Sequence, residues 1–259
     1  MAFATDHSPA PLNALLASLS SRDLDQFRAC LFRVPLARDQ VLAQHDQPID
    51  HAFFIESGVV SVVSQPMHGE DGVQVAMIGR EGMVGDLTLV DMRHAACARV
   101  VVHLPGSALR ISGADLRRAI ERCPALHSAC ASFVQALIGQ VMQTAACNAR
   151  RSLAERCARW LVMTLERVDG NEIRVTHEAL SAMLGMRRSG VTVAAAMLQQ
   201  AGLIRTGRGR FTVLDRVGLR NVAQGAGAML QAPLASVGVG AAMAASAEAP
   251  RLSRQVAAA

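Results

Sequence analysis

Seven polar residues carry the clearest chemistry in this chain. Arg187, Arg188, Ser189 and Thr192 form one group, and Arg205, Arg208 and Arg210 follow shortly after. A guanidinium is a permanently charged, planar fork of donors. It matches a phosphate, or the O6/N7 edge of guanine, in bidentate fashion. These side chains need elements to present them, and the stretch from Thr176 to Leu214 supplies candidates. Thr176 can N-cap a first helix, with Glu178 in its first turn, where a negative charge suits the helix dipole. Ala179, Leu180, Met183 and Leu184 give that helix an apolar face. Gly185 suits its end, because glycine tolerates positive φ. Arg187, Arg188 and Ser189 then open a second helix, whose apolar face is Val191, Ala194, Ala195 and Leu198. Gly202 stops it, and a hairpin bearing Arg205, Arg208 and Arg210 follows. Helix, tight turn and second helix with basic residues at its start form the helix-turn-helix pattern, in which the second helix meets base edges in the major groove of double-stranded DNA. A plain helical subdomain with a solvated arginine face would leave the agreement of turn, arginines and basic hairpin unexplained.

Charge is distributed to match. Residues 1–149 hold 11 Arg against 14 acidic residues, whereas residues 150–222 hold 13 Arg against 6. The net charge of +5 therefore hides an acidic N-terminal part and a basic C-terminal one, the footprint expected for phosphate contact. The chain has no Lys; all 26 basic residues are Arg, which we read as a compositional habit without functional weight. With 259 residues and 51% hydrophobic content, two domains can each build a core without disulfide or metal. The six cysteines, Cys30, Cys97, Cys123, Cys130, Cys147 and Cys157, form no CxxC pair. They argue against a disulfide scaffold, a zinc knuckle or a clustered iron–sulfur site, so no metal or other cofactor is expected. No uninterrupted apolar run approaches the ~20 residues that span a bilayer, and the N-terminus lacks a signal-peptide pattern. A cytoplasmic protein without a membrane partner is expected.

Residues 12–32 carry Leu12, Leu15, Leu16, Leu19, Leu24, Phe27 and Leu31 at helical spacing. From Val34 to Ile111 short apolar runs (41–42, 52–55, 59–63, 73–78, 98–102, 108–111) alternate with turn signals. These include Ser57-Gly58, His68 to Gly72, Gly79 to Gly82 and Pro105-Gly106. Many short strands at close spacing predict a small jelly-roll barrel. Ser112 to Asp115 reads as a helix start, the helix runs to Cys123, and Pro124 can open the next. From 125 to about 148 a long helix is predicted. Its stripe is Leu126, Cys130, Phe133, Leu137, Val141 and Ala145, with Val134, Ile138 and Met142 alongside. So wide a stripe can cover the barrel on one side and a partner helix on the other, which reads as a dimerisation helix and predicts a homodimer. A helix over 150–168, with Leu153, Ala154, Cys157, Trp160, Leu161 and Leu165 inward, opens the last domain. The expected organisation is α+β: a jelly-roll β-barrel over 12–112, the dimerisation region over 113–148, a winged helix-turn-helix over 149–216 and an Ala/Gly-rich tail, predicted disordered, over 222–259.

The order of acidic barrel, long helix and basic winged helix-turn-helix resembles the Crp/Fnr superfamily of bacterial transcription regulators. The phrases that carry it are AFFIESGVVSVV (52–63), IGREGMVGDLTLV (78–90), AERCARWLVM (154–163), THEALSAMLGMRRSGVTVAAAMLQQAGLI (176–204) and GRGRFTVLD (207–215). The resemblance covers residues 12 to 215 and implies a non-enzymatic regulator that binds a palindromic operator and works with RNA polymerase. Family members that bind cyclic nucleotides carry a Gly-Glu pair and then an Arg-Ser pair. Here the first falls at Gly85-Asp86 and the second at Ala96-Cys97, which makes Gly85, Asp86, Ala96 and Cys97 the effector-pocket candidates of a degenerate cassette. Arg93 and Arg99 lie three residues off, and an odd shift in a strand changes the face from which a side chain emerges. The departures argue against a cyclic nucleotide and leave the effector unknown. Only Cys30 lies where the oxygen-sensing branch has its cysteine cluster, and Cys97 reads as either a buried inert thiol or a redox-sensitive one. In the recognition helix Arg188 matches the guanine-reading position, Ser189 replaces the usual Glu, and Val193 stands where a second Arg is common. Arg187, Thr192, Arg208 and Arg210 are candidates for phosphate.

Two other readings stay open. One is a regulator without a small-molecule ligand, controlled by abundance or by a protein partner. The other is a cupin-like metal enzyme, for which His45, His51, His68, His94 and His103 are the available ligands, although no HxH pair exists.

Overall fold

The computed structural model describes residues 11–64, 72–86 and 96–224. Apolar spacing alone predicts one helix over 12–32. The chain instead makes α1 (Ala14–Ala17), α2 (Ser21–Asp25) and a 3-10 turn at Arg28–Cys30. Two caps divide it. Ser20 Oγ accepts from Asp23 N at 3.1 Å, and Asn13 Oδ1 accepts from Leu15 N and Leu16 N. The Asn13 amide also donates to the carbonyls of Ile55, Arg80 and Gly82 at 2.9, 3.1 and 2.8 Å. This buried side chain fastens the start of the chain to the sheet. Leu15, Leu16, Leu24 and Phe27 enter the core, while Leu12 is 63% exposed.

The sheet comprises β1 (Phe32–Leu36), β2 (Val41–Ala43), β3 (His51–Val63), β4 (Gln74–Ile78), β5 (Met83–Val84) and β6 (Arg99–Ser112). Two expected turns prove to lie inside strands. The runs on either side of Ser57-Gly58 are one strand, β3, and those on either side of Pro105-Gly106 fall on β6. β3 and β6 pair antiparallel from His51 opposite Ser112 to Val63 opposite Arg99, with register slips between Ile55 and Val60. Gly58 has φ +85°, and a Cβ there would stand 2.5 Å from the Leu104 carbonyl oxygen. The glycines thus mark a bend that both strands share, where backbone meets backbone too closely for a side chain. Beyond the bend the strands change partners. β3 pairs with β5 on one side and β4 on the other, and β6 with β1 and β2, all antiparallel. This rolls the sheet around Phe54, Ile55, Val60, Val102 and Ile111.

Ser112 caps α3 (Gly113–Arg122) by accepting from Asp115 N, and Pro124 opens α4 (Pro124–Arg150). At 27 residues and about 1.5 Å each, α4 is roughly 40 Å long. It is long and apolar enough to cross a bilayer, which corrects the expectation that no segment qualifies. Interspersed Gln, Ser and Thr break its apolar run without making the whole helix polar. Its first half instead closes the roll, burying Leu126, Ala129, Cys130, Phe133 and Leu137. Further along, Gln140 Oε1 accepts from Met77 N at 2.6 Å, and its Nε2 donates to Met77 O at 3.1 Å. The amide thus pairs with the free edge of β4 as a neighbouring strand would.

The C-terminal part holds α5 (Leu153–Leu165), β7 (Glu172–Ile173), α6 (His177–Leu184), α7 (Arg188–Gln200), β8 (Ile204–Gly207), β9 (Arg210–Val213) and α8 (Arg216–Gln224). Ser152 and Glu155 form a capping box that restarts the chain as a separate helix after Arg150, with α5 running over Leu153–Leu165 where the spacing predicts a helix over 150–168. Helix α8 runs past the expected domain end at 216. Asp215 Oδ1 accepts from Val217 N and Gly218 N, and Leu219 and Ala223 are buried in the core they share with α5. The sequence predicts a disordered tail from 222, but residues 222–224 belong to α8; residues 225–259, and with them the rest of that expectation, lie outside the described residues, as do His68, His94 and Arg93.

Candidate nucleic-acid interface

The helix-turn-helix follows from local signals. Thr176 Oγ1 accepts from Ala179 N at 3.1 Å and starts α6. Gly185 takes φ +57° at its end, and Met186 N returns to Ser181 O. Arg187 sits at the N-cap of α7 in extended conformation with no side-chain cap bond. Val191, Ala194, Ala195 and Leu198 are buried, as the spacing predicts. The opposite face is open: Arg188, Ser189, Thr192, Val193 and Met197 are exposed. β8 and β9 join through Arg208-Gly209, with Gly207 opposite Arg210 and Gly209 at φ +69°. Arg208 therefore stands at the tip of the wing.

The exposed basic residues differ in what holds them. Arg187, Arg205 and Arg208 have no ion-pair partner among the described residues. Arg188 Nε lies 3.6 Å from Glu178 Oε2, with the two side chains 71% and 73% exposed. Such a pair contributes little and yields readily to a better anion. Arg210, the first residue after the wing turn, has its Nη1 3.5 Å from Glu172 Oε2 of β7. The Thr192 hydroxyl donates to Arg188 O at 3.1 Å and lies 3.1 Å from His177 Nδ1, so it is turned toward its own helix. Gln199 was not singled out by sequence. Its Oε1 accepts from Thr206 N and Thr206 Oγ1 at 2.9 and 2.8 Å, which locks the wing onto α7.

All four effector-pocket candidates are among the described residues. Gly85 follows β5, where a Cβ would stand 3.0 Å from Ala52 Cβ, and Asp86 is buried. Ala96 is buried and bridges to His45, while Cys97 is exposed. Between them, residues 87–95 lie outside the described residues. Burial pushes the Cys130 and Cys157 thiols up to about 12, so both are poor nucleophiles. Among the described residues no three His, Cys, Asp or Glu come together in a way that could hold a metal ion.

The helix-turn-helix is also anchored to the roll by residues without a local signature. Glu81 and Arg167 form a buried ion pair at 2.8 Å. Trp160 Nε1 donates to Gln74 Oε1 at 3.0 Å, and the His103 ring meets the Trp160 ring edge-on at 5.5 Å between centroids. Burial pushes His103 down to about 4, so it is neutral here. Val59, Met77 and Leu104 of the roll belong to the core of the C-terminal part.

Comparison with known proteins agrees with this architecture. Residues 33–123 match the family model of the cyclic nucleotide-binding domain, and residues 155–222 that of the Crp-like helix-turn-helix domain. No curated protein sequence matches the chain. Among solved structures, FixK2 from Bradyrhizobium japonicum aligns with TM-score 0.64 at 14% identity, over 76% of this chain and 98% of that one. The c-di-GMP responsive global regulator CLP from Xanthomonas campestris aligns with TM-score 0.61 at 16% identity, over 76% and 100%. A Crp/Fnr-family regulator from Eubacterium rectale aligns with TM-score 0.62 at 15% identity, over 82% and 98%. At these identities the structures speak for the fold, while the two family models, in this order and jointly spanning more than half of the chain, show that it belongs to the Crp/Fnr superfamily of transcription regulators.

Proposed function

We propose that this regulator is a homodimer that reads a two-fold related operator through α7 and the β8–β9 wing. The observation that carries the reading is the open face of α7. Its first two turns expose Arg188, Ser189, Thr192 and Val193, and Arg208 is exposed at the tip of the wing. In this reading Arg188 binds a guanine edge, and Val193 suits an apolar contact such as a thymine methyl. Arg187, Thr192, Arg208 and Arg210 hold phosphate and set the register, with Thr192 and Arg210 first leaving their internal partners. Two copies meet along the outer face of α4, where Ile138 and Met142 are 55% and 67% exposed. A dimer of this kind places its recognition helices about one DNA turn apart. Residues 12–112 then serve as the sensor, 113–148 as the dimerisation region and 149–216 as the DNA-binding part. The DNA-bound dimer acts on RNA polymerase in the cytoplasm.

A second reading, regulation without a cyclic nucleotide, is favoured by the residues at the degenerate cassette. Gly85, Asp86, Ala96 and Cys97 offer a carboxylate and a thiol but no cation to neutralise a phosphate. Selection of sites from a random DNA pool by purified protein, without ligand, tests both readings. Enrichment of a palindrome supports a dimeric regulator that works unliganded. Bound DNA with no enriched motif removes the base-reading part, and repeating the selection with cyclic AMP or c-di-GMP then tests for a required effector.

A further inference from the structure

A cleft lies where β4, the end of α4, α5 and the end of α6 meet, and two arginines line it. Arg159 is only 8% exposed; its Nη1 donates to Thr144 Oγ1 at 3.3 Å, and its buried Nε has no hydrogen-bond partner. Arg156 donates through Nη2 to Leu184 O, and its Nε is likewise buried and unpartnered. No carboxylate among the described residues lines the cleft. Burial is the largest influence on both guanidiniums and pushes them down from their ordinary value. Cys147, itself in the lining, pushes both the other way, while the nearby Arg167 adds a smaller repulsion to Arg159 and is itself committed to Glu81. An arginine cannot shed its proton as a buried lysine can, so an anion in the cleft would offset the cost of burying these charges.

We propose that Arg156 and Arg159 form a binding site for a small phosphate-class oxyanion at this junction. Two guanidinium forks match one phosphate in charge, because a phosphate monoester carries about −1.5 to −2 near neutral pH. Asn148 and Thr144 supply further polar groups from α4, and Trp160 and Met77 supply apolar wall. The inner room is about 30 Å³. A water needs roughly 10–15 Å³ on this scale, so the inner room suits a group of a few heavy atoms and not a whole nucleotide. The lining includes none of the α7 and wing arginines and none of Gly85, Asp86, Ala96 and Cys97. Because it draws on β4, α4, α5 and α6 together, a bound oxyanion favours this seating of the helix-turn-helix on the roll over any arrangement that separates them. The inference does not depend on operator architecture.

Thermal unfolding of the full chain, with inorganic phosphate or ribose 5-phosphate titrated against sodium chloride at equal ionic strength, tests this. Phosphate-31 line broadening gives a second measure that does not depend on folding stability. The wild type is expected to gain midpoint temperature with phosphate beyond chloride. Arg159→Gln and Arg156→Gln are expected to weaken phosphate binding about tenfold or more by both measures. Arg208→Ala is expected to keep it. Response to inorganic phosphate alone identifies the free ion as ligand; response to the sugar phosphate as well identifies a head group. The proposal is overturned if phosphate acts no differently from chloride. It is also overturned if the effect survives both glutamine variants, or vanishes with Arg208→Ala and so belongs to the DNA-binding face. Should Arg159→Gln not fold, Arg156→Gln and the line-broadening measurement decide. DNA binding in phosphate-free buffer reports separately on the function proposed above.

Discussion

Glu81 and Arg167 meet at 2.8 Å with both side chains largely out of water, one on a turn of the roll and the other just past α5. Glu81 Oε1 also accepts from Gly79 N, and Arg167 Nη1 donates to Met163 O, so each charge is tied to backbone of its own part. The pair joins the two halves of the molecule through a contact that neither could satisfy alone.

Removing one partner strands the other in a poorly solvated site. Arg167→Ala or Glu81→Gln is therefore expected to destabilise the protein by about 3–5 kcal/mol, whereas a Glu81→Leu/Arg167→Met double variant recovers most of the loss. Urea unfolding measures this. A single-variant loss below about 1 kcal/mol would show that the pair is open to solvent.

His103 gives stability a defined pH dependence. Its folded value of about 4 lies below the ordinary 6.5, so the unfolded chain takes up a proton that the native state refuses. Stability is complete above about pH 6.5, falls as pH drops toward 4 and levels off below it, for a total of about 3 kcal/mol. The only tryptophan, Trp160, touches the ring and reports the transition by fluorescence. In His103→Gln the slope between pH 6.5 and 4 should flatten; an unchanged slope assigns the acid sensitivity to other groups.

Arg188 and Arg208 should fail differently. Arg188→Ala is expected to lose about 1–3 kcal/mol of discrimination at one base position per half-site. Arg208→Ala is expected to weaken all DNA about equally and reduce the salt slope by about one. Binding titrations at several salt concentrations, on selected and scrambled sites, separate the two. Parent-like behaviour of both variants rejects the docking geometry.

The outer face of α4 should govern assembly. Ile138→Glu with Met142→Glu places charge on exposed positions, so the monomer fold should survive while dimers dissociate. Sedimentation velocity reads the outcome. A variant that stays dimeric moves the interface elsewhere, and a wild type that is monomeric at all concentrations removes it.

The helix-turn-helix was legible in the sequence because its signals are local. Thr176, Gly185 and the buried set Val191, Ala194, Ala195 and Leu198 act within one or two helical turns, and periodicity with caps predicts them. The same logic failed over residues 12–32, where Asn13 and Ser20 divide an apolar pattern into short helices. It failed again at Gly58 and Gly106. A glycine beside a polar or proline residue reads as a turn, yet here each allows a close approach between strands some 50 residues apart in the chain.

By itself, then, the sequence determined the class of the molecule: a basic helix-turn-helix with its wing, a β-rich acidic part before it and a long apolar helix between. Each is specified by neighbours in the chain or by composition. Tertiary structure alone decided the shared bend of β3 and β6, the Glu81–Arg167 tie, the Trp160–Gln74 bond and the placing of Arg156 and Arg159 around one cleft. These contacts join residues tens of positions apart. A buried charge or amide carries no local mark of which distant partner will satisfy it; only the packing of the roll against the helix-turn-helix selects one.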